Sequence, residues 1–392
     1  MLTRAGWLTL LSAGIAALAG RLFGVLELFI VAAVLAMLVA ACLAWVRLTA
    51  VRLRVSRVVS PAKVHMGEAT KVEVTAINTG TTHTPVLHLS DPVAGTRGAR
   101  LHLAPLAGGE KAQAAYRLPT DRRGILQVGP LGIEIADPFG LAHRRATAAP
   151  LESVTIFPHV DAIRVPSLGG DEDPHGAAIQ TNKLGQTTDE FFALREYVRG
   201  DDMRRVHWKS TARSNELMVR QDETPWQDRT TVAIDVRPQR GADPAIFERA
   251  VSAAASVVSA GFRQRHLVRL VSTAGFDSGV ASGLGHSETI LGYLAGVHPS
   301  APTSSAPLFD QLTRSAQGGL LVIVTSEWND EQMSTLTRLR GDFRRIVVVG
   351  TTGLAPAGMP RGMAYVDARG ELAFPAAWLS AVGRNAPRTV PA

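Results

Sequence analysis

Two long runs of apolar residues open the chain. Ala5–Gly20 carries no charge, and Leu28–Val46 forms a second uncharged run of 19 residues. A helix that crosses a bilayer needs about 20 apolar residues. The second run meets this length, and Leu22–Gly24 extends the shorter first one. Neither run has a polar face, which argues against two buried helices of a soluble domain. The pattern predicts a transmembrane helical hairpin over residues 1–47.

The charges beside these runs set the expected orientation. The connecting loop contains Arg21, balanced by Glu27, whereas the outer flanks carry a clear excess of basic residues, which are Arg4, Arg47, Arg52, Arg54, Arg57 and Lys63. The positive-inside rule then places both ends of the hairpin, and the bulk of the chain, in the cytoplasm. We therefore expect a multi-pass protein of the cell membrane. A signal peptide cleaved near Ala17–Ala19 is the alternative for the first run, and the second run remains an anchor either way.

The period of the pattern changes after the second run. Val51, Leu53 and Val55 alternate with polar residues, and the pattern continues as far as about residue 159. Further short strands are predicted at 72–76, 86–89, 100–103, 112–118, 125–128, 131–136 and 154–157. Turn residues recur about every eight to twelve positions, and no helical period is present. This arrangement is typical of a β-sandwich, which we place at residues 48–166.

A third pattern begins near residue 230. Segments such as Leu320–Val324 are apolar throughout, as a parallel sheet covered on both faces requires. They alternate with amphipathic helical segments such as Ala245–Ala260. This predicts a doubly wound α/β domain over residues 230–383, preceded by a linker and signature segment at 167–229 and followed by a polar tail at 384–392. Within the linker we predict a helical turn at Glu190–Tyr197 and a strand at Leu217–Gln221.

Composition narrows the possible functions. The chain has 41 Lys and Arg against 34 Asp and Glu, so its charge of +7 is spread thinly over 392 residues and does not favour nucleic-acid binding. The single cysteine, Cys42, excludes an intramolecular disulfide and a thiolate zinc site. The sequence contains no phosphate-binding loop, zinc-protease helix or serine nucleophile elbow. We therefore expect no cofactor and no enzymatic activity.

The densest charged chemistry lies between residues 191 and 213. Arg-Glu-Tyr at 195–197 is followed by Gly-Asp at 200–201, Arg-Arg at 204–205, Trp-Lys at 208–209 and Ala-Arg at 212–213. This pattern resembles the signature of the family called domain of unknown function 58 (DUF58), as do the segments 122–124, 129–131 and 137–141. The resemblance covers nearly the whole chain. The candidate site residues are Arg195, Glu196, Tyr197, Gly200, Asp201, Arg204, Arg205, Trp208, Lys209 and Arg213.

Charges in this segment are nearly balanced. Seven Lys and Arg and six Asp and Glu lie between residues 195 and 223, which favours a paired network over a binding surface for a polyanion. One interpretation is a clamp between the two soluble domains, favoured for Arg195, Asp201 and Trp208. The other is a docking surface for a partner, favoured for Arg199, Arg204 and Lys209. Catalysis by Asp201 with Glu196 and His207 is a third hypothesis.

The DUF58 resemblance also implies that the last domain is similar to the von Willebrand factor A fold. That fold usually holds a metal ion through an Asp-x-Ser-x-Ser motif after its first strand, since an aspartate and two hydroxyls give a hard cation oxygen ligands. Here Asp235 is present, but Arg237 and Gln239 occupy the serine positions and Thr325–Glu327 replaces a later aspartate. We expect no bound metal, with Asp235 a remnant that pairs with Arg237 or caps the following helix.

The family resemblance implies partners as well. Such proteins often accompany AAA+ ATPases of the MoxR type and sometimes transglutaminase-like membrane proteins. The expected function is that of a non-enzymatic, membrane-anchored adaptor in chaperone-like assembly or cell-envelope processes. A membrane-associated hydrolase using the segment from Glu196 to His207 is the alternative. An extracellular adhesin of von Willebrand type is a further one, which the opposite topology would require.

Overall fold

The structure is a computed structural model of the 392-residue chain. Its described residues are 1–49, 51–166, 191–196, 206, 208, 211–212, 216–222, 228–237, 243–299, 304–314, 318–328, 330–352, 359–360, 362–369 and 373–383. Contacts between residues divide the chain into two compact units. The first comprises Met1–His159 with Gly292–Gly296, and the second comprises Val160–Leu291 with Val297–Ala392.

Two helices open the first unit, as the apolar runs predict. Helix α1 covers Arg4–Phe23 and α2 covers Leu26–Leu48. Gly24 joins them in the left-handed conformation (φ 68°), which a glycine adopts without strain. Both helices are long and apolar enough to cross a membrane, and only 17% and 22% of their most apolar stretches are buried. Their large apolar side chains therefore face outward, where lipid would contact them.

The rest of the first unit consists of short strands. Their bounds are β1 Leu53–Ser60, β2 Lys63–His65, β3 Lys71–Asn78, β4 Leu87–Asp91, β5 Ala99–Leu103, β6 Lys111–Arg117, β7 Gly124–Val128, β8 Leu131–Ala136, β9 His143–Ala149 and β10 Glu152–Phe157. They form sheets of order β1-β3-β6, β5-β4-β8-β9 and β2-β10-β7. Val72 and Val74 of β3 share one core with Leu87 of β4, Leu131 of β8 and Val154 of β10. Side chains from separate sheets thus pack together.

Two of these strands were not predicted from the sequence. Strand β9 pairs with β8 along its whole length, but its sequence His-Arg-Arg-Ala-Thr-Ala-Ala lacks large apolar residues. Most of its residues are exposed because it lies at the edge of its sheet. Strand β2 has only three residues, which is too short for a period-two pattern to be seen.

The predicted helical turn at Glu190–Tyr197 is wrong. Phe191–Glu196 is a strand, β11, and it pairs antiparallel with β12, Met218–Asp222, so that Arg195 lies opposite Val219. The two phenylalanines at its start are typical of strands. The partner strand corresponds to the one predicted at Leu217–Gln221.

A five-stranded parallel sheet forms the core of the second unit. Its strands are β13 Arg229–Ile234, β14 Leu267–Ser272, β15 Leu320–Thr325, β16 Arg345–Gly350 and β17 Ala364–Asp367, in the order β14-β13-β15-β16-β17. The helices in this part of the chain are α3 Pro244–Arg263, α4 Leu284–Gly296, α5 Ala306–Arg314, α6 Asp330–Leu339 and α7 Phe374–Val382. The last five residues of α4, Gly292–Gly296, belong to the first unit. Helix α3 is also long and apolar enough to cross a membrane, but 56% of its apolar stretch is buried and it packs on the sheet. It is therefore a core helix of this unit.

Candidate functional site

The candidate site lies where the parallel strands end. Strand β14 is the next strand along the chain after β13 and pairs with it on one side. The following strand, β15, pairs with β13 on the other side, so the direction of strand addition reverses beside β13. In open α/β sheets such a reversal leaves a crevice at the carboxyl ends of the strands, where ligands bind. Asp235 follows β13, Thr325 ends β15 and Thr351 follows β16. The topology therefore brings these three side chains to one edge.

Hydrogen bonds surround the carboxylate of Asp235, which is only 8% exposed. The guanidinium of Arg237 donates from Nε to Oδ1 at 2.9 Å and from Nη2 to Oδ2 at 2.6 Å. Thr273 donates to Oδ1 at 3.3 Å and Thr325 to Oδ2 at 3.0 Å. The backbone amide of Arg237 adds a further bond to Oδ1. Both carboxylate oxygens are thus fully engaged by the protein itself.

The electrostatics of this pair disfavour a metal ion. The hydrogen bond to Asp235 raises the pKa of Arg237 above its usual value, although burial opposes this, so the guanidinium stays charged. It contacts the two oxygens that a cation would need, and an arginine cannot act as a ligand. Of the two roles expected for Asp235, pairing with Arg237 is therefore present, whereas Asp243 caps helix α3. Gln239 lies outside the described residues.

A cavity of about 170 Å³ adjoins the ion pair. Arg237, Ser326 and Thr351 form its polar wall, and Pro244, Ile246 and Ala250 of helix α3 form its apolar wall. Thr351 is fully buried, and its hydroxyl has no hydrogen-bond partner among the residues that the structure describes. A buried hydroxyl of this kind costs roughly 1–3 kcal/mol unless a ligand or water satisfies it. The cavity therefore has the size and polarity to accept one side chain or a small polar group.

The structure describes only part of the signature segment. The backbones of Arg195 and Glu196 lie on β11. Trp208 is 63% exposed, and its neighbour Val206 is buried. The remaining signature residues, Tyr197, Gly200, Asp201, Arg204, Arg205, Lys209 and Arg213, lie outside the described residues. The predicted charged network therefore lies outside what the structure describes, and Trp208 is the one candidate residue whose side-chain exposure can be stated.

A second ion pair, in the first unit, was missed by sequence reasoning. Arg57 of β1 donates to Asp91 of β4 at 2.8 Å, and Tyr116 of β6 donates to the other oxygen of Asp91 at 2.6 Å. Burial and the bond to Asp91 raise the pKa of Tyr116. A signal was available, because Arg57 shares the inward-facing positions of β1 with Val55 and Val59.

Comparison with known proteins supports the family resemblance. Residues 193–355 match the family described as protein of unknown function DUF58. The match spans the signature segment and strands β13–β16. No curated protein matches the chain.

Solved structures give only weak likenesses. The CARDB domain of a Pyrococcus furiosus protein shares 14% identity over 27% of this chain and 93% of that domain, with a TM-score of 0.22. The ApaA protein from Bordetella pertussis shares 13% identity over 27% of this chain and 94% of its own, with a TM-score of 0.19. These scores are too low to indicate a shared fold.

Proposed function

We propose that this protein is a non-enzymatic, membrane-anchored interaction protein that works with a MoxR-type AAA+ ATPase in chaperone-like assembly or cell-envelope processes. The proposal rests on the hydrogen bonds that the carboxylate of Asp235 accepts. At the sheet edge where an α/β domain binds ligands, the carboxylate is saturated by Arg237, Thr273 and Thr325. Such an aspartate is unsuited to abstract a proton or hold a metal, while the adjoining cavity can accept a group from a partner.

We also propose a type for each domain and an orientation for the chain. The fully buried parallel strands and the aspartate after β13 support a von Willebrand factor A-like domain whose cation is replaced by the guanidinium of Arg237. The core shared by the sheets of the first unit supports the sandwich interpretation. We place the bulk of the chain in the cytoplasm because basic residues such as Arg4 and Arg47 flank the outer ends of the hairpin.

For the signature segment we propose docking of the partner through Trp208. An indole that is 63% exposed has most of its surface available, and tryptophan is enriched among the residues that dominate binding energies at protein interfaces. From the sequence we favour a clamp role for Trp208. The docking role proposed here differs, because a residue that clamps two domains would be expected to be buried.

The experiment mixes the detergent-solubilised full chain with the MoxR-type ATPase encoded in the same genome. We expect the ATPase to co-purify with the parent chain and its hydrolysis rate to change. The variant Trp208→Ala should lose at least tenfold in affinity, since an interface hot spot is worth about 2 kcal/mol or more. The matched control is Leu379→Ala, which removes an apolar side chain that is 71% exposed on α7.

Two results would overturn the proposal. One is the absence of any ATPase binding by the parent chain. The other is hydrolytic turnover by the purified chain that Asp201→Asn abolishes, which would establish the hydrolase alternative. A reporter that is active only in the cytoplasm, fused after Ala392, tests the orientation separately, and a silent reporter would favour the adhesin topology.

A further inference from the structure

The turn between β8 and β9 is closed by its own hydrogen bonds. We call residues 137–142 the docking turn. The carboxylate of Asp137, which is only 4% exposed, accepts hydrogen bonds from the amide of Phe139 at 2.8 Å and from the amide of Ala142. The amide of Asp137 in turn donates to the carbonyl of Ala142 at 3.1 Å. Gly140 donates to the carbonyl of Asp137 at 3.0 Å. Burial alone would raise the pKa of Asp137, but these bonds and the thiol of Cys42 lower it. The charged carboxylate thus satisfies the backbone of the turn.

The docking turn is fixed to the start of helix α1. Leu2 forms a β-bridge with Ala142. The amide of Thr3 donates to the carbonyl of Leu141 at 2.9 Å, and the Thr3 hydroxyl donates to that of Gly140 at 2.6 Å. Gly6 lies so close to the Leu141 carbonyl that a Cβ atom there would overlap it.

Helix α2 holds the other side of the docking turn. Leu141 and Ala142, at 7% and 0% exposure, share one cluster with Val39, Cys42 and Val46. Val46 ends the uncharged run of α2. Cys42 lies four residues further in, which at 1.5 Å per residue is about 6 Å.

These contacts fix the depth of the turn relative to the hairpin. If the uncharged run spans the hydrocarbon layer, the docking turn lies at the boundary between hydrocarbon and headgroups. Arg4 and Arg47 lie 20 and 23 positions from Gly24 between the helices, so their levels differ by about 5 Å. Backbone can approach lipid only where its polar groups are satisfied, and each N–H group of the docking turn donates a hydrogen bond.

At the tip of this turn lies Phe139, which is 67% exposed. Phenylalanine, with Trp and Leu, is typical of the apolar face with which interfacial segments enter the boundary between headgroups and acyl chains. We propose that the docking turn is an interfacial membrane anchor and that Phe139 inserts between lipids at the polar boundary of the bilayer. This rests on the proposed membrane-spanning hairpin. It adds a contact through which the β region itself is held on the bilayer surface.

The test uses the full chain in phosphatidylcholine vesicles with single cysteines that carry an environment-sensitive fluorophore. The sites are Phe139→Cys in the turn, Val34→Cys in the middle of α2 and Leu151→Cys beyond the far end of β9. Val34 and Leu151 are matched controls because they are exposed apolar residues, at 58% and 55%. Strand β9 has seven residues, so its far end lies about 23 Å from the turn. Cys42 is buried, and the parent chain therefore serves as the labelling blank.

Nitroxide lipids then report the depth of each probe. We expect a shallow nitroxide to quench the probe at position 139 at least twofold more than the probe at 151, and a deep nitroxide to quench the probe at 34. An unquenched probe at 139 beside a quenched probe at 34 would overturn the anchor but leave the hairpin standing. An unquenched probe at 34 would overturn the hairpin itself. A Phe139→Trp chain, measured against the parent with the same lipids, repeats the test without a label.

Discussion

The two compact units each contain an arginine–aspartate pair, and the pairs differ in origin and surroundings. Arg57 and Asp91 are 34 positions apart and come from strands of different sheets, and their side chains are 1% and 0% exposed. Arg237 and Asp235 are two positions apart, with side chains 19% and 6% exposed beside a cavity. The first pair depends on the tertiary fold of its unit. The second is formed by one short segment at the end of a strand.

This difference indicates different roles. A fully buried pair gives little net stability, but the loss of one partner leaves an uncompensated charge at high cost. A pair beside a cavity can be hydrated or contacted by a ligand when it is disturbed. Loss of Asp91 should therefore disrupt the β region, whereas Arg237 and Asp235 shape a surface.

The largest effect is expected for Asp91→Ala. It leaves the buried guanidinium of Arg57 with only the carboxylate of Glu152, which is 46% exposed and lies 3.3 Å from Nε. The expected cost is about 3 kcal/mol, the low end for a broken buried pair. Hydrogen exchange of the full chain in detergent should accelerate in β1, β4 and β6 and stay unchanged in β13 and β15. The control Tyr116→Phe removes one hydrogen bond to Asp91 and should cost about 1 kcal/mol. Equal exchange in parent and Asp91→Ala would show that the pair does not support this core.

A smaller effect is expected for Asp235→Ala. Arg237 keeps access to the cavity and to water, so the loss should be about 1–3 kcal/mol. Faster exchange should be confined to β13, β15 and the start of α3.

Calorimetry tests metal binding at the same residue. Neither the parent chain nor Asp235→Ala should give binding heat when titrated with millimolar Mg²⁺. A saturable heat in the parent that Asp235→Ala abolishes would contradict our account of the pair.

The smallest effect concerns a third pair, Arg269 with Asp277, in the second unit. The bond from Arg269, at 2.6 Å, lowers the pKa of Asp277 below its usual value. A carboxylate with a lowered pKa in the folded protein stabilises it above the pKa of the unfolded state, and this contribution disappears as the pH falls through the lowered value.

Thermal unfolding tests the direction of this pH dependence. Asp277→Asn should melt below the parent at pH 7, and the gap should close as the pH falls below about 4. A gap that is unchanged between pH 7 and pH 3 would show that the charge of Asp277 does not contribute.

The sequence predicts the second unit well because its signals are local. Strand β15, Leu320–Thr325, contains the run Leu320–Val324 from which it was predicted, since a strand buried on both faces is apolar at almost every position. The contact of Asp235 with Arg237 was also foreseeable, because residues two positions apart at a strand end lie close together. No tertiary information was needed for either.

What the sequence did not predict depends on distant partners. Strand β9 is recognisable only beside β8, and Phe191–Glu196 is a strand because Met218–Asp222 pairs with it. The partner of Arg57 lies on a strand that no local period connects to β1. The role of the motif at 137–141 was hidden for the same reason, since its contacts are with residues near the start of the chain.

The docking turn also has a consequence for biosynthesis. Leu2, Thr3 and Gly6 are made well before the turn that they contact, which follows more than 130 residues later. At roughly 5–20 residues per second, the ribosome needs about 7–27 s to reach it. During that interval the hairpin exists without its partner, and the chain between them is still being elongated. Closure of this contact is therefore a late event, which marks the moment when the newly made β region becomes attached to the apolar hairpin.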